Sequence, residues 1–327
     1  MKKILLLDPT IATINLGDEI IKESIFKNFP EILDGNYIYN LPTHTKTFSY
    51  MQKFIYKKRM SLYHTADYKF LCGTNALYMN MLRPMPTWNI NLFNYDLYKN
   101  TILLGVGLGV NGKKPNLYTK LLYKKVLSKK YIHSVRDEKT KNFLISLGYK
   151  AVNTGCPTLW GMTPEHCKSI PKEKSDSVIF TLTCYEPDTI NDQLMIDILL
   201  KNYKNVYFWP QSINDIDYLK SLNNIESINI VSPNLYSYDK ILNSNIDYVG
   251  NRLHGGIYAM QHKCRSIIIS IDYRAIEMSK NFSIKCIERE KISSKLESLI
   301  NSKWETKING IDFKLIEQWK KQFIDEK

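Results

Sequence analysis

The sequence predicts an α/β protein built from two Rossmann-like, doubly wound domains that face each other across a cleft. Short apolar runs alternate with helical stretches through most of the 327 residues, and this alternation is typical of parallel sheets with helical crossovers. A chain of this length also exceeds the size at which one hydrophobic core usually stops growing, so two domains of about 150 residues each are expected. A substrate site between two such domains is expected as well.

The predicted elements of the first half begin at the amino terminus. The first apolar run stops at Asp8 without a small-residue cleavage site, so it is interpreted as a buried strand at 3–8 and not as a signal peptide. Between 138 and 147, Phe143, Leu144 and Leu147 lie on one helical face, and Gly148 follows as a carboxyl cap. Further strands are predicted at 69–73, 101–107, 132–136 and 151–154.

A polar, proline-punctuated stretch between 162 and 177 is the predicted linker. Beyond it the alternation resumes, which indicates a second doubly wound unit. Its strands are predicted at 178–183, 206–209, 228–231, 246–249 and 266–271. We therefore place an N-terminal domain at 1–163 and a C-terminal domain at 176–305, and we expect an amphipathic helix within 306–327 to pack back on the N-terminal domain.

The net charge of +13, from 45 Lys and Arg against 32 Asp and Glu, predicts attraction to anionic partners. The lysines are dispersed and no nucleic-acid-binding signature accompanies them, so nucleic-acid binding is not expected. Three interpretations remain: peripheral contact with an anionic inner membrane surface, an anionic nucleotide or phospholipid-linked substrate, and a solvated lysine-rich surface.

The composition also predicts the compartment. No apolar run reaches the roughly 18 residues of a membrane span, so a soluble, cytoplasmic protein is expected. The six cysteines are spaced too widely for a paired metal motif, and most are predicted to be buried thiols in a reducing compartment. We therefore expect no metal site.

The segment 246–260 changes from a strand pattern into a glycine-flanked loop and then into a helical pattern. Arg252 and His254 fall in this loop, at the carboxyl end of the predicted strand, where open α/β sheets bind their ligands. Gly255 allows a ligand to approach the amides at the helix start, where the helix dipole favours negative charge. The spacing alone is equally consistent with a simple turn and with a phosphate or carboxylate site.

A second polar loop, Asn15-Leu16-Gly17-Asp18-Glu19, precedes the first helical pattern. It is not a dinucleotide fingerprint, because the three-glycine spacing is absent. Two interpretations of Asp18 are open: a helix cap, or a functional group that acts as a base or binds sugar hydroxyls together with Asn15.

Two further arginines follow predicted strands. Arg136 ends a strand, where its guanidinium can bind a carboxylate or phosphate bidentately, while Asp137 is predicted to cap the next helix. Arg274 follows the strand after the glycine-flanked loop and supplies a second cation there. The alternative for Arg274 is an ion pair with Glu277 on the following helix.

Small residues follow two other strands of the first half. Gly73-Thr74-Asn75 offers polar groups for hydroxyl contacts at a strand end. The run from Gly105 to Gly109 lacks the lysine and the Ser or Thr of a nucleoside triphosphate loop. It is interpreted as close backbone packing or as a flexible wall of the cleft.

Taken in order, these motifs resemble the polysaccharide pyruvyl transferase family over nearly the whole chain. The resemblance is carried by Asn15-x-Gly17-Asp18-Glu19, Gly73, Gly105-Val106-Gly107, Ser134-Val135-Arg136-Asp137, Gly155-Cys156-Pro157 and Arg252-Leu253-His254-Gly255. It implies two Rossmann-like domains in the B-type glycosyltransferase arrangement, with the acceptor on the N-terminal side and the donor on the C-terminal side. It further implies transfer of a pyruvyl group from phosphoenolpyruvate, without a cofactor, to a sugar or lipid-linked oligosaccharide of a bacterial surface polysaccharide, as a ketal.

The resemblance also implies roles for single residues. Arg136 and Arg252 become the expected clamps for phosphoenolpyruvate, Leu253 a wall of the site, and His254 the general acid or base. A histidine suits that role, because ketal formation needs a group that both gives and takes protons near neutral pH. An oligomer is compatible with the sequence.

The chain departs from the family pattern at two points. Cys156 stands before a proline where the family commonly has an acidic residue, and Gly73-Thr74-Asn75 stands where the family has a glycine cluster. A B-type glycosyltransferase that uses a nucleotide sugar is therefore an alternative, in which Arg252, His254 and Arg274 would hold a diphosphate. A non-catalytic protein of polysaccharide assembly is a third interpretation.

Overall fold

The structure is a computed structural model that describes residues 1–109, 112, 114–271 and 273–324, except for the side chains of Tyr50, Lys53, Tyr273, Arg274 and Glu277. The chain forms two compact units. The first unit comprises Met1–Thr13, Ile21–Trp160 and Asp312–Lys327, and the second comprises Ile14–Ile20 and Gly161–Ile311.

The described residues form short strands and helices in alternation. The strands are β1 (Lys3–Asp8), β2 (Tyr37–Pro42), β3 (Tyr68–Cys72), β4 (Thr101–Leu104), β5 (His133–Val135), β6 (Ala151–Asn153), β7 (Ser177–Thr181), β8 (Asn205–Phe208), β9 (Ile228–Ile230), β10 (Asp247–Gly250), β11 (Ser266–Ser270) and β12 (Cys286–Glu288). The helices are α1 (Gly17–Asn28), α2 (Tyr50–Ile55), α3 (Lys57–His64), α4 (Leu117–Val126), α5 (Glu138–Ser146), α6 (Pro164–Lys168), α7 (Thr189–Asn202), α8 (Asn214–Lys220), α9 (Leu235–Leu242), α10 (Leu253–Gln261), α11 (Tyr273–Phe282), α12 (Ile292–Asn301) and α13 (Phe313–Ile324).

The first unit is built on parallel strands in the order β2-β1-β3-β4. The parallel pair β5-β6 continues this array, because Val106 forms a parallel bridge with Val135 and the Gly105 amide donates to the Ser134 carbonyl oxygen (3.1 Å). The order of the sheet reverses between β1 and β3, and in doubly wound folds such a point is where ligands bind.

Local signals explain where α5 begins and ends. Asp137 caps α5, since its carboxylate accepts a hydrogen bond from the Thr140 amide (2.7 Å), as the sequence predicts. Gly148 follows the helix with a φ of 83°, a left-handed conformation that glycine adopts without strain.

Helix α13 belongs to the first unit and supplies part of its aromatic core. The Trp319 ring meets Phe29 edge-on with ring centroids 5.9 Å apart, and Phe323 meets Phe70 at 5.0 Å. Trp319 Nε1 donates to the Ile132 carbonyl oxygen (2.7 Å). The last helix is therefore an integral part of the core of the first unit.

The second unit contains six parallel strands in the order β12-β11-β10-β7-β8-β9. Relative to its own first strand, β7, this is the 3-2-1-4-5-6 order of a Rossmann fold, with the reversal between β7 and β10. Gly250 ends β10 against β7, where an added Cβ would lie 2.4 Å from Thr181 Oγ1. The two strands approach closely because this position has no side chain.

The predicted α/β class with two Rossmann-like domains is confirmed. Predicted strands recur within a few residues of their observed positions, and the prediction for 101–107 overran because Gly105, at a φ of 64°, turns the chain after Leu104. Two strands were missed: β2 is a largely half-exposed edge strand that ends in Pro42, and β12 has three residues. None of the helices formed by the described residues combines the length and apolarity needed to span a bilayer.

Candidate active site

The loop after β10 is held at the reversal point of the second sheet by three hydrogen bonds. The Arg252 amide donates to Thr181 Oγ1 (3.2 Å), and the Tyr248 hydroxyl donates to the Arg252 carbonyl oxygen (2.8 Å). Thr181 Oγ1 and Tyr248 Oη lie 2.6 Å apart, so Thr181 donates to Tyr248 and accepts from Arg252. Burial raises the pKa of Tyr248, which keeps this donor protonated.

The Arg252 side chain is buried in an ion pair with Asp215. Arg252 Nη2 donates to both carboxylate oxygens of Asp215 (2.5 and 2.7 Å), and Arg252 Nε donates to the Leu182 carbonyl oxygen (3.0 Å). Asp215 also accepts from the amides of Cys184 (3.0 Å) and Ser212 (2.9 Å). These bonds fix the guanidinium, whose carbon lies 4.9 Å from the centroid of the Tyr185 ring. Its Nη1 makes no hydrogen bond to the described residues.

Helix α10 begins immediately after Arg252 with features suited to an anion. Arg252 at its N-cap position makes no side-chain capping hydrogen bond, and its first turn contains no acidic residue, so neither of these offsets the positive end of the helix dipole. His254 lies half-buried in this first turn, next to the half-buried Leu253. The Gly255 carbonyl oxygen accepts from the buried Tyr238 hydroxyl (2.9 Å), which fixes the turn.

Gln211 connects the start of α10 with the loop that contains Asn15. Asn15 Oδ1 accepts from Gln211 Nε2 (2.7 Å) and from the Gly17 amide (3.1 Å), while the Leu16 amide donates to the Gln211 carbonyl oxygen (2.9 Å). An added Cβ at Gly255 would lie 3.1 Å from Gln211 Oε1. The Asn15 loop therefore belongs to the second unit and lies at the carboxyl end of β8. Asp18, predicted as a base or a cap, is the buried second residue of α1.

Four buried polar atoms near the carboxyl ends of β7, β8 and β10 have no hydrogen-bond partner among the described residues. They are Thr183 Oγ1, Gln211 Oε1, and both Oδ1 and Nδ2 of Asn251. Proteins rarely leave buried polar atoms unpaired, because each such atom loses its bonds to water without replacement. At this edge of the sheet, a polar ligand would supply the hydrogen bonds that these four atoms lack.

The first unit contains a separate cluster at the carboxyl ends of its own strands. Arg136 Nη2 donates to Asn75 Oδ1, and the Arg136 side chain is 16% exposed. Gly107 lies against both residues, since an added Cβ would fall 2.4 Å from Arg136 Nε and 2.4 Å from Asn75 Oδ1. The interpretation of this glycine run as close backbone packing is confirmed.

Two other predicted site residues have different positions. Gly73 is buried at the end of β3 with a φ of 59°, and an added Cβ would lie 2.3 Å from Ile21 Cγ2, so it allows α1 to approach the strand. The side chain of Arg274 lies outside the described part of the chain. Within that part, no group of three or more His, Cys, Asp or Glu is placed to hold a metal ion.

Sequence reasoning missed Asp215, Gln211 and Thr183. Gln211 and Thr183 lie close to the ends of predicted strands, so the same strand-end argument that selected Arg136 applies to them. Asp215 lies in the first turn of α8, and no pattern in the sequence indicates that its carboxylate binds Arg252.

The fold defines a class of protein: an α/β protein with two Rossmann-like units. The model of the polysaccharide pyruvyl transferase family matches residues 15–273. The chain therefore belongs to the polysaccharide pyruvyl transferase family and is a transferase.

Several solved structures are similar to this chain over nearly its whole length. The chain is similar to MnaA of S. aureus in complex with UDP (11% identity, 99% of this chain and 97% of that chain, TM-score 0.52). It is also similar to the UDP-GlcNAc 2-epimerase of Methanocaldococcus jannaschii (14% identity, 97% of this chain and 98% of that chain, TM-score 0.50). A putative UDP-N-acetylglucosamine 2-epimerase of Listeria monocytogenes is similar as well (10% identity, 99% of this chain and 97% of that chain, TM-score 0.53). At sequence identities this low, the structural similarity establishes the fold alone. No curated protein matches the sequence significantly.

Proposed function

We propose that this transferase moves a pyruvyl group from phosphoenolpyruvate to two hydroxyls of a sugar, as a ketal. The observation that carries the proposal is the start of α10, where His254 and an uncapped helix terminus lie at the reversal point of the second sheet. Phosphoenolpyruvate brings a phosphate and a carboxylate, and a helix amino terminus binds such groups. Family membership over residues 15–273 supports the same reaction.

The proposed chemistry needs one group that both donates and accepts protons. The enol carbon gains a proton and becomes a methyl group, and a sugar hydroxyl attacks the adjacent carbon. A second hydroxyl then displaces phosphate and closes the ring. The two hydroxyls together release two protons: one replaces the proton taken up by the new methyl group, and the other leaves with phosphate. His254 is proposed as this acid and base, because imidazole titrates near neutral pH.

The other predicted residues take supporting roles in this proposal. Arg252 is proposed to bind the donor through Nη1 alone, because its Nε donates to Leu182 and its Nη2 donates to Asp215. Leu253 is proposed to form a wall of the donor site. Gly255 lets the donor approach the helix amides. Arg274 follows β11, the strand next to β10, and is proposed as a further anion contact.

The acceptor is proposed to bind through hydroxyl contacts. In the second unit, Asn15 and Asp18 lie on the loop and helix start beside Gln211, and amide and carboxylate groups suit sugar hydroxyls. In the first unit, Arg136 and Asn75 are proposed to bind a charged or hydroxylated group of a substrate. A sugar or a lipid-linked oligosaccharide, modified in the cytoplasm, fits these groups.

Ligand-dependent thermal unfolding tests the donor. A ligand that binds only the folded protein raises its apparent stability, by about 2.7 kcal/mol at a hundredfold excess over Kd. Phosphoenolpyruvate is expected to raise the Tm, while UDP-sugars are not. The fold shared with UDP-binding epimerases supports a nucleotide-sugar glycosyltransferase as the second candidate. Stabilisation by a UDP-sugar, with no effect of excess phosphoenolpyruvate, would establish that candidate instead.

Substitution of His254 distinguishes the hypothesis of an enzyme from that of a non-catalytic assembly protein. His254→Ala is expected to lower phosphate release from phosphoenolpyruvate by about 100-fold or more with an unchanged Tm. His262→Ala is the matched control, because His262 lies in the turn that ends the same helix. Unaltered turnover in His254→Ala would remove the proposed role of His254, and full partner binding without any turnover in the wild type would indicate an assembly protein.

A further inference from the structure

Helix α2 of the first unit exposes three large apolar side chains on one face. Met51, Phe54 and Ile55 occupy positions i, i+3 and i+4, and they are 71%, 75% and 65% exposed. Single exposed apolar residues are common on protein surfaces, but a contiguous group of this size usually marks an interaction site.

Helix α3 continues this surface with positive charge. Lys57, Lys58 and Arg59 are all exposed in its first turn, and Leu62, one turn after Lys58, is 55% exposed. The exposed side chains of residues 51–62 are called the α2–α3 surface below. It combines apolar and cationic groups within two consecutive short helices.

The buried side of α3 anchors this surface on the first unit. Met60 is 5% exposed, and the Tyr63 ring packs against Phe48 and Tyr39 with centroids 5.2 and 5.7 Å apart. The Tyr39 hydroxyl donates to the Leu62 carbonyl oxygen (3.0 Å). Met60 and Tyr63 therefore form the core-facing side of α3, while the described side chains of α2 are exposed.

The charge of the surrounding chain is uniformly positive. Residues 35–66 contain five Lys and Arg and no Asp or Glu. The acidic Asp96 contacts His64 at the end of α3 (3.8 Å), beyond the α2–α3 surface. A partner of this surface must therefore accept cations and apolar side chains together.

We propose that the α2–α3 surface binds an anionic lipid membrane. At such an interface the apolar side chains enter the boundary between headgroups and acyl chains, and lysines and arginines remain among the anionic headgroups. The cations complement any anionic partner, but the aliphatic side chains favour a membrane: bases can stack on Phe54 and Tyr56, whereas Met51, Ile55 and Leu62 offer nucleotides neither stacking nor hydrogen bonds. The membrane surface suggested by the net charge thus acquires a defined contact on the protein.

Vesicle binding by the full-length protein tests this proposal. In a flotation experiment the protein is expected to bind vesicles of equal parts phosphatidylglycerol and phosphatidylcholine, and not vesicles of phosphatidylcholine alone. Raising the salt from about 50 mM to about 500 mM is expected to weaken the binding strongly, because salt screens exposed charges. This second measurement needs no variant.

Two variants of the α2–α3 surface locate the contact. Lys57→Gln/Lys58→Gln/Arg59→Gln is expected to lower vesicle partitioning by roughly 100-fold, since each cation near an anionic leaflet contributes about a factor of five. Met51→Ser/Phe54→Ser/Ile55→Ser is expected to lower partitioning by about tenfold or more. The matched control is Lys220→Gln/Lys240→Gln/Lys295→Gln, which removes the same charge from three exposed lysines of the second unit.

The outcomes either support the proposal or overturn it. Loss of binding in both variants, with retention in the control and unchanged thermal unfolding, supports it. Absence of vesicle binding by the wild type, or equal binding by all variants, overturns it. A change of oligomeric state in the variants without vesicle binding overturns it as well and assigns the surface to a second copy of the chain. None of these measurements depends on the donor substrate.

Discussion

Arg252 is a buried cation whose position depends on one carboxylate. A buried charge loses hydration, and the loss is offset only when a partner and further hydrogen bonds replace water. Asp215 meets that condition, because both of its oxygens bind Arg252 and each also accepts a backbone amide.

Removal of this carboxylate is expected to destabilise the second unit. Asp215→Ala leaves Arg252 buried without a counterion, so we expect the free energy of unfolding in urea to fall by about 3–5 kcal/mol. Asp217→Ala is the control, because Asp217 is an exposed residue of the same helix and should change stability by less than about 0.5 kcal/mol. Equal effects of the two substitutions would contradict a structural role of the ion pair.

His133 is a buried histidine that the structure holds in the neutral form. Its Nδ1 accepts from the Leu103 amide (3.1 Å) and its Nε2 donates to the Ser128 carbonyl oxygen (2.9 Å). Burial lowers the pKa of His133 from 6.5 to about 4. The unfolded chain therefore binds a proton between these two pH values that the folded protein does not.

Stability is expected to fall as the pH decreases through this window. Because the folded-state pKa of His133 is the lower one, its contribution is lost between pH 6.5 and pH 4, by about 3 kcal/mol in total. Urea unfolding of the wild type and of His133→Gln, compared at a series of pH values, isolates this contribution, since glutamine keeps a donor and an acceptor but does not titrate. Parallel pH profiles for the two proteins would show that His133 does not cause the loss.

Among the helices, α5 shows how local sequence signals determine an element. Asp137 accepts from both the amide and the hydroxyl of Thr140 (2.7 and 2.8 Å), and Gly148 ends the helical stretch. These signals are local, so the helix could be predicted from the sequence within one residue at its carboxyl end.

Loss of the cap is expected to have a modest effect. Asp137→Ala removes the acceptor for the Thr140 amide and should lower the free energy of unfolding by about 1 kcal/mol. Asp137→Asn should retain most of the stability, because an asparagine side chain also caps helices. Chemical denaturation of both variants checks this ordering, and a larger loss in Asn than in Ala would contradict the cap.

The strands illustrate which elements escape sequence reasoning. Buried parallel strands such as β1 and β11 are continuous apolar runs and were predicted. Strand β2, at the sheet edge, has a largely half-exposed pattern, and β12 has three residues, so neither produces a strong periodic signal. Their assignment depends on neighbouring strands and not on their own composition.

On the scale of the whole molecule, the first unit includes both ends of the described chain. Helix α13 places Trp319 and Phe323 among aromatic residues that lie hundreds of positions earlier. The sequence predicted an amphipathic helix at this end, and the aromatic contacts show what its apolar face covers.

Removal of the Trp319 ring is expected to destabilise the first unit strongly. Trp319 is 2% exposed, so Trp319→Ala should lower the free energy of unfolding by about 3–5 kcal/mol through lost contacts and the remaining cavity. Leu315→Ala tests the same helix at a half-exposed position, where a smaller loss is expected. Denaturation curves that coincide with the wild type for Trp319→Ala would show that α13 does not stabilise the core.

The sequence by itself determined the α/β class, most strands, the family resemblance and the loop that contains Arg252 and His254. Those features follow from local patterns: apolar runs, glycine positions and polar residues after strands. The tertiary structure alone decided the strand orders, the pairing of Arg252 with Asp215, and the contact of Asn15 with Gln211 across 196 positions of sequence. Such contacts depend on which strand ends become neighbours in the sheet, and no local pattern along the chain specifies that.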